Sequence, residues 1–455
     1  MNKPKSRFIA AFLLAALLAA AQAPAPGESS TSANLKIDLQ VALTRAHQYG
    51  IQIQTANIAA ILAKEDRSQA VAATLPAVSA LNQFIYTEGN GTPSGVFVAN
   101  DGVHVYNEQA QVHEELLAFV RRGEIRLAAA SVAVAKAKAS IAARGLDLTV
   151  IQDYYAIASA ARRSSNAQQS LTEAEQFFKI TQDQERGGEV AHADTIKAQI
   201  QVQQRQRDVQ DAKLNVDKAK IALSILIFPG LQTNYEIVDD LQQIALPPTL
   251  PEAIGQATAT NPTLEAARAG VTQAKLGVNV AKYAYLPSLA LDFFYGIDAN
   301  QFAINSTNTQ ATGRSTLPDY LVENRHNLGY SAMATLTVPI WNWGSIHSKV
   351  KQASLREQQA QLDLTASQRQ LQADLASFHE EAQTALSQIK TLQSSEQLSA
   401  ESLRLTLLRY KSGEATALEV VDAQTTATQA RNAYDDGLLR YRLALANLQN
   451  LTGTH

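Results

Sequence analysis

Two segments in the second half of the chain alternate strictly between apolar and small or polar residues. They run over 289–297 and 328–340. A period of two puts the apolar side chains on one face of a strand, as in a membrane-embedded barrel, although the edge of a soluble sandwich also fits. Weaker alternation predicts two more strands, at 77–86 and 103–116. Because the smallest common barrel has about eight strands, four would close a barrel only if several protomers contributed.

Long helices are predicted in the two stretches without proline, 94–228 and 340–455. Both are rich in residues that favour the helix, such as alanine, glutamine, leucine and lysine. Each stretch predicts a helix of roughly 65 residues and a return helix of roughly 40, joined by a glycine turn in which positive φ is easy. The last helix carries an apolar seam with coiled-coil spacing. The turn glycines are Gly187, Gly188 and Gly413, and the seam consists of Val420, Ala423, Ala427, Ala430, Tyr434, Leu438, Tyr441, Leu445 and Leu448.

This order of elements occurs twice, and short sequence matches indicate an internal duplication. Residues 39–46 align with 250–257, and at the same offset the Leu-Pro step at 75–76 falls on the one at 286–287. Gly188 aligns with Gly413 at a larger offset, which fits an insertion in the second copy around 304–324.

The predicted organisation is two structural repeats joined by a proline-rich linker. Each repeat opens with one helix, over 35–74 or 250–285, which the Leu-Pro step ends. The boundaries are 35–228 for the first repeat, 229–249 for the linker and 250–455 for the second repeat.

The N-terminus has the pattern of a cleaved export signal over residues 1–23, followed by a short linker over 24–34. Three basic residues precede an apolar run from Phe8 to Ala21, and small residues suit cleavage after residue 21 or 23. A membrane anchor is the alternative, but the run is shorter than the roughly 20 residues that span a bilayer. Removing three basic residues changes the net charge from −3 to −6.

Composition excludes several kinds of chemistry. The chain has 455 residues and no cysteine, which excludes disulfides, thiolate metal sites, a cysteine nucleophile and a lipid anchor on cysteine. Mixed charges and a net charge of −3 argue against nucleic-acid binding. The eight histidines lack metal-ligand spacing, and the Ser348-x-x-Lys351 match lacks companion motifs. We therefore predict no enzyme activity, no metal and no cofactor.

Three features of the sequence belong together: the segment 336–344 (LTVPIWNWG), the helical tip 409–424 (RYKSGEATALEVVDAQ) and the repeated Leu-Pro step. In these features the sequence resembles the TolC-like outer-membrane efflux proteins. The resemblance covers 35–453. It implies a mainly α fold with a membrane β-barrel: a homotrimer in which each chain gives four strands to a 12-stranded barrel, continued by a periplasmic α-helical barrel with a mixed equatorial region.

The resemblance also implies a periplasmic entrance that tip residues hold closed. Tyr410 matches a tyrosine before the tip glycine, and Asp194, Glu419 and Asp422 match acidic positions. Since residues 419 and 422 share a helix face, three copies would form acidic rings that favour cations. A solvated face or a partner of the helix dipole is the plainer interpretation of such a pair.

One departure concerns the gate, because a basic latch residue of the best-known member corresponds to Ala415 here. Lys197, the repeat partner of Asp422, could pair with an acidic neighbour instead. Four aromatic residues could form membrane-interface girdles, or simply pack between barrel and helices: Phe293, Tyr295, Trp341 and Trp343.

The sequence thus predicts a passive outer-membrane exit duct for efflux or type I secretion, extending into the periplasm. Its expected partners are two further copies, a periplasmic adaptor, an inner-membrane pump of the RND or ABC type, and outer-membrane lipid. An exported helical adaptor or scaffold without channel activity is the alternative. Adaptors usually carry one helical hairpin, whereas this chain has two repeats.

Overall fold

The computed structural model describes residues 35–87, 103–300 and 328–453. The predicted export signal and N-terminal linker (1–34) lie outside these ranges, as do the whole insertion around 304–324 and residues 454–455. Within the described ranges the chain is mainly helical. No helix there has an apolar stretch long enough to cross a bilayer.

Four long helices form two antiparallel pairs, as the proline-free stretches predicted. Helix α3 (Phe119–Arg186) has 68 residues and returns as α4 (His192–Ile227) with 36 residues. In the second repeat, α7 (Ser345–Lys411) has 67 residues and returns as α8 (Ala417–Thr452) with 36 residues. Every residue of the predicted seam on α8 is buried or half-buried.

The helices that open each repeat are broken where single helices were predicted. The first repeat begins with strand β1 (Leu35–Ile37), then α1 (Leu39–Tyr49) and α2 (Ile51–Ala72). Extended backbone at Gly50 separates the two helices, and an added Cβ there would lie 2.5 Å from Leu146 of α3. The periodic pattern continues across this break, so the sequence did not reveal it.

The second repeat has the matching break at Asn261, between α5 (Leu250–Thr260) and α6 (Pro262–Tyr283). A residue before proline disfavours helical backbone, and Asn261 takes ψ 118°. Its side chain then accepts hydrogen bonds from the N–H groups of Thr263 and Leu264 and caps α6.

Four strands form one antiparallel sheet in the order β2-β3-β5-β6. They are β2 (Ala77–Thr87), β3 (Val103–Glu115), β5 (Ser288–Asn300) and β6 (Leu328–Thr337). The two hairpins of the two repeats are joined by pairing of β3 with β5. The strand was predicted to end at Ile340, but β6 ends three residues earlier, at Thr337. Pro339 has no backbone N–H and so cannot donate a hydrogen bond to a neighbouring strand.

The predicted linker contains structure of its own. Strand β4 (Tyr235–Ile237) lies within 229–249 and pairs in parallel with β1. The hydroxyl of Tyr154 on α3 donates to the carbonyl of Val238 at 2.6 Å. Together these elements form a small mixed region halfway along the helices, and the apolar core of the first repeat packs around Tyr154 and Tyr235.

Candidate functional site

One face of the four-stranded sheet is mainly apolar, although Glu108 and Glu114 of β3 share it, and the other face is mainly polar. Residues paired across antiparallel strands lie on the same face, so one row joins Val112, Phe293 and Ala332. The neighbouring row joins Gln111, Phe294 and Ser331, with side chains on the opposite face. The apolar face continues through Leu291, Tyr295, Tyr330, Ala334 and Leu336, and large apolar side chains on it are exposed in the single chain.

A hydrogen bond between two side chains lies at the helix-proximal end of the polar face. His113 of β3 lies opposite Asp292 of β5, and its Nδ1 is 2.6 Å from a carboxylate oxygen of Asp292. This contact joins the strands of the two repeats. Sequence reasoning did not find the pair, because the partners are far apart along the chain.

The sheet has two open edges. Within the described chain, β2 pairs with β3 alone and β6 pairs with β5 alone. Unpaired strand edges present rows of backbone N–H and C=O groups that are ready to pair with another strand.

The four aromatic residues predicted for membrane girdles lie in two places. Phe293 and Tyr295 are on the apolar face of β5. Trp341 and Trp343 follow β6 in the turn that leads into α7, where they are 74% and 88% exposed and their rings meet edge to face at 5.6 Å. Trp343 has φ 52° and is followed by Gly344 with φ 82°, so a left-handed turn presents both indoles to the outside.

The tips of the two long helix pairs have the same turn. Gly188 and Gly413 take φ 76° and 78°, and each is followed by a glutamate whose N–H donates five residues back into the preceding helix. Gly187 has right-handed backbone with φ −75°, so only Gly188 of this pair takes positive φ in the turn.

Tyr410 is buried between the two helix pairs. It is 3% exposed, its ring packs on Phe177 of α3 at 5.1 Å, and its hydroxyl donates to Thr181 at 3.3 Å. Burial raises the pKa of Tyr410, and the negative charge of Asp194 acts in the same direction. This side chain therefore connects α7 to α3 just above the tip.

Glu419 is engaged locally. The N–H of Thr416 donates to its carboxylate, and its own N–H donates to the hydroxyl of Thr416, which forms a capping box at the start of α8. Arg409 lies 3.6 Å away. The pKa of Glu419 is lowered, chiefly by the Thr416 backbone and hydroxyl donors.

The other acidic tip residues differ from Glu419. Asp422 lies one turn further along α8 and is exposed, and no described side chain or backbone group bonds its carboxylate. Asp194 accepts a hydrogen bond from Lys197 at 3.3 Å, within the same helix. The ion pair expected for Lys197 thus has Asp194 as its partner in the single chain.

A polar seam between α3 and α8, made mostly of paired polar side chains, was missed by sequence reasoning. Arg162 is 3.1 Å from Asp435, and Glu173 is 2.8 Å from Arg431. Further contacts join Asn166 to Asn432 and Asp435, Ser170 to Thr428, and Arg163 to Asp436. The polar residues between the apolar seam positions of α8 were the available signal, but they did not indicate their partners.

The described residues contain no group of three or more histidine, aspartate or glutamate side chains arranged to hold a metal ion.

The sequence is similar to known proteins of one family. Residues 253–454 match the family model described as "Outer membrane efflux protein". Outer membrane protein TolC of Vibrio cholerae is 24% identical over 203 residues, which is 44% of this chain and 43% of that protein. The chain is thus matched in sequence to less than half the length of this relative.

Similarity in structure extends over most of the chain. A membrane protein from Pseudomonas aeruginosa superimposes with a TM-score of 0.78 at 19% identity, covering 91% of this chain and 93% of that one. The outer membrane protein VceC from Vibrio cholerae gives 0.76 at 16% identity, covering 91% and 96%. The CmeC outer membrane channel of Campylobacter jejuni gives 0.75 at 19% identity, covering 91% and 85%.

These matches assign the chain's second half to the outer membrane efflux protein family and give the chain as a whole the fold of the TolC-like outer-membrane channels. The predicted resemblance is confirmed. The family is one of channel proteins, not enzymes. The family and the structural neighbours are outer-membrane channels, in agreement with the location that the sequence predicted.

Proposed function

We propose that three copies of this chain form a passive exit duct through the outer membrane. The observation that carries the proposal is the two-faced, four-stranded sheet with open edges at β2 and β6. If β6 of one copy pairs with β2 of the next, three sheets close into a barrel of twelve strands. The apolar face through Phe293 and Ala332 would then contact lipid, and the polar face through Gln111 and Ser331 would line the lumen.

The helices would continue this barrel as a periplasmic tube. At about 1.5 Å per residue, α3 and α7 are each on the order of 100 Å long. Their tips lie at the end opposite the sheet, so the tube would be entered between the tip turns. The apolar face of α8 packs within the chain against α7, and the polar seam attaches this pair to α3.

The gate of the duct would lie at the tips and open by an iris-like movement of the two helix pairs. Three copies of Asp422 would form an acidic ring that favours cations, because this carboxylate is exposed and is not bonded by any of the described residues. Glu419 and Asp194 would contribute less, since Arg409 and Lys197 offset their charges. Tyr410 would hold the pairs together near the entrance.

We further propose that the duct performs no catalysis and that its partners supply the energy. A periplasmic adaptor and an inner-membrane pump, either proton-driven of the RND type or ATP-driven of the ABC type, would deliver the cargo. The family match supports this assembly, and the exposed tips of α3, α4, α7 and α8 are where an adaptor could bias opening.

Planar-bilayer recording of the purified full-length protein tests the duct. We expect a trimer that dissociates on heating in detergent, and discrete cation-selective conductance steps after insertion. The alternative, an adaptor or scaffold, predicts a protein that remains monomeric and gives no conductance. That result would refute the duct.

A further inference from the structure

Basic residues are concentrated where the long helices meet the sheet. The first three turns of α3 and α7 and the last three turns of α6 contain seven lysines and arginines and one acidic residue, Glu124. Their net charge is +6, whereas the whole chain carries −3, so the rest of the chain carries −9. These three helix ends are therefore positively charged, while Glu114, Glu115 and Asp292 in the adjoining strand ends place acidic side chains beside them.

Six of these seven basic side chains are exposed. The exception, Arg121, is 2.9 Å from Glu115 and also donates to the carbonyl of Ala73, so its charge is used within the protein. We call the other six the basic collar: Arg122, Arg126, Lys275, Lys282, Lys349 and Lys351.

The three helix ends that carry the collar lie side by side. Gly123 packs so closely on Tyr283 at the end of α6 that an added Cβ would be 2.9 Å from its ring. Lys349 of α7 lines a cavity of 470 Å³ together with Leu127 of α3 and Ala281 of α6. The collar is thus one surface and not three separate pairs of charges.

The collar also lies directly beneath the apolar region of the sheet. Trp341 and Trp343 stand between β6 and the collar lysines of α7, and both indoles point outward. Exposed tryptophans of this kind favour the level of lipid headgroups. Helix geometry places all six collar residues within about 15 Å of the helix ends that adjoin the sheet.

We propose that the basic collar binds anionic phospholipid headgroups of the periplasmic leaflet of the outer membrane. The argument is one of charge complementarity: each lysine or arginine near an anionic surface adds attraction, over about one Debye length of 8–10 Å. The inference rests on the proposed function, because it requires the sheet to be in the membrane. It adds a lipid class to that function, and it assigns the collar to fixing the depth of the channel.

The two tryptophans allow a direct test, since the chain has no others. The full-length protein is reconstituted in phosphatidylcholine vesicles, and brominated phosphatidylglycerol or brominated phosphatidylcholine is added as a quencher of tryptophan fluorescence. We expect brominated phosphatidylglycerol to compete for the protein surface about threefold better or more at low salt, and this preference to shrink at high salt.

Two matched variants isolate the collar. K349Q/K351Q removes two exposed lysines spaced two residues apart beside the tryptophans. K136Q/K138Q removes two exposed lysines with the same spacing about 25 Å along α3 from its start. The first variant should lower the preference for phosphatidylglycerol over phosphatidylcholine clearly, because it removes two of the six collar charges, and the second should leave that preference unchanged. Equal quenching by brominated phosphatidylglycerol and brominated phosphatidylcholine in the unaltered protein would overturn the proposal, and so would equal effects of both variants.

Two further measurements identify the source of any effect. If inorganic phosphate abolishes the lipid preference at an ionic strength where chloride does not, the surface is a site for free phosphate, and the lipid proposal fails. Conductance recorded from the same samples separates the proposals: a conducting protein without lipid preference refutes the collar alone, and a protein without conductance refutes the duct.

Discussion

Individual tip residues show how far a carboxylate's role depends on its immediate neighbours. The spacing of Glu419 and Asp422 on one helix face predicted equal members of an acidic ring. In the structure the first carboxylate accepts from Thr416 and lies near Arg409, while the second is unbonded among the described residues. The negative charge of Glu419 is therefore partly neutralised by its neighbours, whereas that of Asp422 is not neutralised by any of the described residues.

This inequality gives a prediction for ion selectivity. Asp422→Asn should lower the cation preference of the conducting trimer clearly, because it removes three uncompensated charges from the entrance. Replacing Arg409 and Glu419 together by glutamine should lower it much less, because this double change removes a pair of opposite charges. Reversal potentials in a salt gradient measure both effects. Equal losses, or a larger loss for the double variant, would contradict the assignment.

The tip glycines also differ in a way that one substitution reveals. Gly188→Ala and Gly413→Ala place a Cβ on a residue with φ near +77°, which should cost on the order of 1–2 kcal/mol locally. Gly187→Ala is the matched control, because its φ of −75° suits alanine. Hydrogen exchange of the tip peptides should quicken in the first two variants and not in the third. Faster exchange in all three would show that space, and not φ, is limiting.

At the scale of elements, the polar seam determines how the two repeats are held together. Apolar periodicity predicted α8 as a coiled-coil helix, and that is correct for its contact with α7. Its other side meets α3 through ion pairs and hydrogen bonds along the middle, with apolar contacts towards each end, where Ala446 packs near Tyr154 and Val420 near Phe177. A seam of this type suits helix pairs that move relative to one another, since its contacts are replaceable by water.

Neighbouring aspartates on α8 test the seam. The pair of Arg162 and Asp435 is 19% and 10% exposed, while that of Arg163 and Asp436 is 54% and 45% exposed. Asp435→Asn should destabilise the fold by about 3 kcal/mol, because Arg162 is left partly buried with one partner fewer. Asp436→Asn should cost less than about 1 kcal/mol.

Denaturant midpoints of the detergent-solubilised protein would measure this difference. Asn166, which also donates to Asp435, can keep its hydrogen bond to asparagine, so the comparison isolates the ionic contribution. Equal midpoints for the two variants would mean that the seam contributes no more than a surface ion pair.

For the whole molecule, the two faces of the sheet determine which side chains would contact lipid and which would line the lumen. Ala332 and Ser331 are neighbours on β6, but their side chains lie on opposite faces. A lysine on the lipid face of a barrel costs about 2–4 kcal/mol at mid-membrane depth, whereas one in a watery lumen is tolerated. Ala332→Lys should therefore greatly reduce the yield of heat-dissociable trimer in lipid vesicles, and Ser331→Lys should leave it nearly normal. The opposite order would place the apolar face in the lumen.

The sequence by itself determined the four strands of the sheet, the long helices and the turns at Gly188 and Gly413. These depend on local physics: residue periodicity, helix propensity and backbone freedom are written into neighbouring positions. It also located the four tip residues, through their resemblance to a known family.

Tertiary structure alone decided which distant groups meet. The break at Gly50, where the glycine packs on Leu146, the strand inside the linker and the burial of Tyr410 against Phe177 all depend on packing between elements. The same holds for the pairing of His113 with Asp292, 179 residues away. No local pattern specifies such contacts, because their energy arises only once the chain has folded and brought both partners out of water.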